Sequence, residues 1–146
     1  MLKKIIVLVF IVLVIIQFFR PDKNISSETP NTDFLVSSQA PETIAAMINT
    51  SCYDCHSNNT NYPWYAEVAP ISWMIANHVE EGKEELNFSE WSTFSEKRKK
   101  KKIKEMIDEL EEKEMPLTGY LLMHSEAKLS EAQTEELLTW IKSQKK

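Results

Sequence analysis

Ser51-Cys52-Tyr53-Asp54-Cys55-His56 is the stretch on which the reading of this chain turns. Two thiols stand three residues apart, and an imidazole follows the second directly. Cys-x-x-Cys-His is the attachment signature of c-type haem. Two thiols on one tight turn add to the two vinyl groups of the porphyrin, and the adjacent His56 then lies under the iron as its proximal ligand. Cys52 and Cys55 are the only cysteines in the chain, so none is left for another role. Three other readings compete. A thioredoxin-like redox pair wants a βαβ setting, and no strand pattern flanks this motif. A zinc site needs four ligands, so Cys52, Cys55 and His56 would have to recruit His78 or His124. A structural disulfide leaves His56 without a role. The expectation is one covalently attached haem c, held by Cys52 and Cys55 with His56 on the iron.

Around this motif, 146 residues leave room for one modest domain. Two glycines and six prolines among many Glu, Lys, Leu and Ile favour helices over a sheet. The formal charge is −5, and Lys3, Lys4 and Arg20 all lie in the first twenty residues, so the remainder is more acidic still. Such a domain is a poor nucleic-acid binder. Covalent haem attachment of this kind is made outside the cytoplasmic membrane in bacteria, which sets the expected compartment.

Met1 to Lys4 is a short basic start, and Ile5 to Phe19 is an apolar run broken only by Gln17. Bulky residues and Pro21 follow it, with no small-x-small cleavage site, so residues 1–20 are expected to form an uncleaved signal-anchor helix crossing the membrane once. Lys3 and Lys4 would stay cytoplasmic and the remainder would face the periplasm. Residues 21–40, rich in Ser, Asn, Thr, Asp and Pro, read as a flexible linker. Residues 41–146 form the expected haem domain. A helix is predicted from Pro41 to about Thr50, with Ile44, Met47 and Ile48 on its inner stripe. Another starts at Pro70 and stops near Glu81 at Gly82. Its inward face carries Ile71, Met74, Ile75 and His78. Ser95 caps a third helix, reaching about Glu114, with Ile103, Met106, Ile107 and Leu110 inside. Its Lys97 to Lys102 run is either a solvated face or a docking patch for an acidic redox partner. Ser130 and Gln133 make a capping box for the last helix, with Thr134, Leu137, Leu138 and Ile141 inward. Tyr62-Pro63-Trp64-Tyr65 is an aromatic cluster, and the Pro63 carbonyl is a candidate to accept the second ring N–H of His56.

The quoted residues together resemble a known family, the small haem-binding domain of bacterial c-type cytochromes. The resemblance covers most of residues 41–146. It rests on Cys52-Tyr53-Asp54-Cys55-His56-Ser57, Tyr62-Pro63-Trp64-Tyr65, Pro70-Ile71-Ser72-Trp73, His78-Val79-Glu80-Glu81-Gly82, Asn87-Phe88-Ser89-Glu90-Trp91, Met115-Pro116, Tyr120 and His124 to Ser130. It implies an all-α, small cytochrome c-like monohaem domain behind the N-terminal membrane helix. Cys52 and Cys55 match the haem-bonding positions, His56 the proximal ligand and Met115 the Met-Pro position. Leu117 stands where many members repeat proline.

For the sixth iron ligand, Met115 is the first candidate, since cytochrome c folds place their distal Met in the loop before the last helix. His78 is the alternative distal ligand, and Met123 and His124 complete the set. Tyr62, Trp64, Trp73, Trp91 and Tyr120 are candidate pocket walls. The expected role is a membrane-anchored periplasmic electron carrier meeting redox partner proteins, rather than an enzyme. A haem sensor or peroxidase-like module with an open sixth site is the first alternative. A zinc-stabilised interaction domain is the second.

Overall fold

The computed structural model describes residues 1–26 and 28–145. Among these every regular element is helical and there is no strand, as the glycine-poor composition implies. α1 (Leu2–Ile16) has no buried residue. Its 15 residues rise only about 22 Å at 1.5 Å per residue, against a hydrocarbon layer of about 30 Å. Among the described residues no helix is long and apolar enough to cross a membrane. The crossing helix expected over residues 1–20 is therefore not supported by the length of α1, and the residues after it turn back onto the domain. The Gln17 amide donates to the carbonyls of Leu13 (2.8 Å) and Ala69 (3.0 Å) and accepts from the Ala69 N–H at 2.9 Å. The Trp73 indole donates to the Phe19 carbonyl at 2.6 Å. Arg20 and Lys23 both pair with Glu67. The exit of α1 is thus tied down on the domain.

Residues 21–40 also differ from the flexible linker that their polar composition suggests. The Asn24 amide donates to the Ser57 carbonyl (2.8 Å) and to Thr60 Oγ1 (2.9 Å). Asp33 caps the short α2 (Phe34–Ser37) by accepting from the Leu35 N–H at 2.9 Å. Phe34 is 1 % exposed and lies against Phe88, Trp91 and Trp140, with centroids 5.3, 4.6 and 5.5 Å away. This buried aromatic contributes about 1.5–3 kcal/mol of transfer free energy, and together with the Asn24 and Asp33 bonds it holds the strap against the domain.

α3 (Glu42–Ser51) buries Ile44, Met47 and Ile48 as its pattern predicts, and leads into α4 (Tyr53–His56). A 3-10 turn over Trp64–Glu67 precedes α5 (Ile71–Glu85). α5 departs from expectation twice. It runs through Gly82 to Glu85, and its buried residues are Ser72 and Val79, while Ile71, Met74 and His78 are exposed. A second 3-10 turn, Phe88–Thr93, supplies Phe88 and Trp91 to the core. α6 (Glu96–Glu112) is capped by Ser95, buries Ile103 and Ile107, and ends where Lys113 turns left-handed at φ 61°. Its basic run is not a uniform free surface. Lys99 and Lys101 pair with Glu96 and Glu105, and Lys102 is 7 % exposed. α7 (Thr118–Leu121) is a single turn in the loop before α8 (Glu131–Ser143), whose Ser130–Gln133 capping box forms as expected. Leu137 and Ile141 of α8 close the core against α3 and α6.

Candidate cofactor site

α4 is one helical turn, and it is held from both sides. On one side Tyr53 Oη donates to Asp33 Oδ1 at 2.7 Å, pinning the motif to the strap. On the other, α5 passes at Gly82, where an added Cβ would lie 2.7 Å from the Cys55 carbonyl oxygen. Only a residue without Cβ lets the two backbones meet there. This is the physical role of Gly82, in place of the expected helix stop.

That approach fixes His56. Its Nδ1 lies 2.8 Å from the Gly82 carbonyl and 3.0 Å from that of Leu86. Both partners can only accept, so Nδ1 carries the proton and Nε2 keeps its lone pair. Among the described residues Nε2 makes no hydrogen bond. The orienting acceptors come from the end of α5, not from Pro63. Burial holds the His56 pKa below its usual value, with the two carbonyls opposing, so the ring is neutral at pH 7. Burial also pushes the Cys52 thiol up to about 12, assisted by Cys55, and Cys55 to about 11, assisted by Asp54. Both cysteines are free, partly buried thiols.

His56 opens onto two hollows of about 330 and 400 Å³. They share Ser51, Cys52, His56, Glu85, Met115 and Pro116, and so form one cleft. Its inner part is walled by Ile48, Leu86, Phe88, Leu110, Leu137 and Ile141. Its outer part reaches Cys55, His78 and Tyr120. An apolar slot of this size beside two thiols and an imidazole lone pair fits a flat, largely apolar group with a metal at its centre. Cys52, Cys55 and His56 fit a haem at one wall, and Met115 faces the same cleft from the loop after α6.

The other candidates separate clearly. His78 lies on the outer edge of the cleft and is solvent-exposed. His124 is already engaged. Its Nε2 meets Tyr65 Oη at 2.6 Å, its Nδ1 meets Glu126 at 3.2 Å, and Tyr120 stacks on it at 4.2 Å. Met123 is exposed and lines neither hollow. Of the expected pocket walls, Tyr120 lines the cleft and donates to Asp54 Oδ2 at 2.7 Å. Trp91 belongs to the core, Trp64 and Trp73 are exposed, and Tyr62 donates no wall to the cleft but accepts from the Asn24 N–H at 2.9 Å. No cluster of three or more His, Cys, Asp or Glu side chains able to hold a metal is found among the described residues, which leaves the zinc reading without a ligand set.

Two features were missed in the sequence. One is the pair of α5 carbonyls, for which an unexpected mid-helix glycine was the available signal. The other is Lys102. It reaches into the cleft lining and pairs with Glu105 at 2.7 Å and Glu85 at 3.3 Å. In a run of six consecutive basic residues nothing marks it as the inward one except its spacing from Ile103 and Met106.

A family model described as a haem-binding domain matches residues 11–143. No curated protein and no solved structure matches the chain. The matched span contains the motif, the α5 carbonyls and the Met115 loop, and the chain belongs to the haem-binding domain family.

Proposed function

We propose that this protein is a monohaem c-type cytochrome that carries single electrons. In this reading Cys52 and Cys55 would hold the haem covalently, each thiol adding across one vinyl group with its hydrogen going to the second vinyl carbon, so no oxidant would be needed. His56 Nε2 and Met115, with His78 the alternative, would hold the iron. When bound, the haem iron supplies one-electron chemistry between its ferric and ferrous states. The chain's own part is to hold, orient and shield. Gly82 and Leu86 accept from Nδ1, fixing the ring and raising its basicity. The apolar inner wall excludes water, and Lys102 sets a positive charge beside Glu85 and Glu105 at the rim.

The observation that carries the reading is the His56 geometry. A neutral imidazole directly after Cys55 has one nitrogen committed to two backbone carbonyls and the other turned to an apolar cleft. The absorption spectrum of protein exported with cytochrome c maturation tests it. Covalent, low-spin, six-coordinate haem with the red-edge charge-transfer band of Met–Fe(III) is expected. Low-spin haem without that band moves the distal role to His78. A high-spin spectrum favours a sensor or peroxidase-like module, and absence of haem ends the proposal.

α1 supports a second part of the reading. It has no buried residue, and after Lys3 and Lys4 in its first turn it is apolar from Ile5 to Ile16. We infer that it inserts into the bacterial cytoplasmic membrane with the haem domain on the periplasmic side, where redox proteins meet it. Retention in the membrane pellet after alkaline carbonate washing is expected.

A further inference from the structure

The domain carries an exposed apolar face where α1 leaves it. Gln17 and Phe19 are hydrogen-bonded to Ala69 and Trp73. Within two residues of these four in the chain stand large apolar side chains left in solvent: Phe18, Val68, Ile71 and Met74, with Phe19 and Trp73 themselves exposed at 65 % and 39 %. The face was misassigned in the sequence as the inside of α5. The structure turns it outward: the buried residues of α5 are Ser72 and Val79, and Gly82 meets the motif at Cys55. Uncovered aromatic and aliphatic side chains grouped in this way mark an interaction site.

We propose that this face is a lipid seat, on which the domain rests against the interfacial layer of the bilayer that receives α1. The seat rests on the anchor reading and adds an orientation to it. Two observations favour lipid over a protein partner. The face adjoins the exit of α1, which has no buried residue. The indole of Trp73 has its N–H bonded to the backbone and its ring partly exposed, the amphipathic arrangement found at the membrane–water boundary. His78, on the outer edge of the cleft, is one turn from Met74 along α5, so the seated molecule carries that edge next to the bilayer.

The test uses the full haem-loaded chain in vesicles of phosphatidylethanolamine and phosphatidylglycerol. p-Benzoylphenylalanine is placed at Phe10, Ile71, Met74 or Glu135, one position at a time, and lipid adducts are read by mass spectrometry after illumination. Glu135 is exposed on α8, which packs on α3 and α6. Adducts at Phe10, Ile71 and Met74 with none at Glu135 are expected. Adducts at Phe10 alone would overturn the seat and leave the anchor standing. Adducts at all four positions would also overturn it, since the domain would then have no preferred face. No adduct at Phe10 would overturn the anchor and the seat together.

Discussion

The two walls of the cleft are built in different ways. The proximal wall, α4 against α5, is a backbone-on-backbone contact. Gly82 brings the helices together, two carbonyls fix His56, and Tyr53 ties the turn to the buried Asp33. The distal wall is a loop. Past Lys113 the chain passes through Met115 and Pro116 and the single turn α7, and most of its side chains lie at the surface. The contrast suggests a division of labour. The wall that carries Cys52, Cys55 and His56 is fixed by the fold, while the wall that carries Met115 can yield.

Replacing the two proposed ligands, His56 and Met115, breaks this comparison most severely. His56→Ala is expected to abolish low-spin haem and to lower the yield of haem-loaded protein. Met115→Ala should keep the covalent haem and the fold, and convert the spectrum to high spin with carbon monoxide binding. Equal loss of haem in both variants would mean that the distal loop is as constitutive as the motif. An unchanged low-spin spectrum in Met115→Ala would remove Met115 from the iron.

Two tyrosines extend the comparison to stability. Tyr53 Oη donates to Asp33, which is 1 % exposed. Tyr53→Phe strips a partner from a buried carboxylate whose Oδ2 is already without one. This should cost about 1.5–3 kcal/mol in urea unfolding. Tyr120 makes a bond of the same length to Asp54, but Asp54 is only half-buried and also accepts from the Asn61 N–H. Tyr120→Phe should cost roughly 0.5–1.5 kcal/mol. The reverse order would assign the rigid wall to the wrong side.

The two glycines of the chain repeat the test with a single methyl group. Gly82→Ala forces a Cβ against the Cys55 carbonyl and should destabilise by about 1–3 kcal/mol. It should also disturb the His56 orientation that the same backbone provides. Gly119, on α7, has nothing within 4 Å of an added Cβ, so Gly119→Ala should be neutral or stabilising by up to about 1 kcal/mol.

These contrasts also explain what could be read in advance. The motif, the four long domain helices and their caps at Ser95 and Ser130 were legible because each is a local signal. The inner faces of α3, α6 and α8 follow apolar periodicity. α5 misled because its buried residues are only Ser72 and Val79, and its contact with the motif is made by Gly82, while Ile71 and Met74 of its apolar stripe point to solvent. The strap over residues 21–40 was read as a linker because one buried Phe34 is invisible in a polar composition. The acceptor for His56 lies 26 residues away at Gly82, a long-range contact that no window around the motif contains.

The smallest expected effect is a pH dependence that belongs to the proximal wall. In the haem-free chain burial holds the His56 pKa below 6.5. The unfolded chain therefore binds the His56 proton at a higher pH than the folded one. Between the two values the unfolded state carries more protons, so stability falls as pH drops below about 6.5 and is whole above it. The depressed carboxyls of Glu67, Glu105 and Glu126 act in the same direction but only below their ordinary value of 4.5. The interval from pH 6.5 to 5 thus isolates the histidine. Urea midpoints of the haem-free chain should decline across that interval, and His56→Gln should flatten the decline. A slope that survives in His56→Gln would place the titrating group elsewhere, and the proximal wall would lose its claim to a desolvated, neutral imidazole.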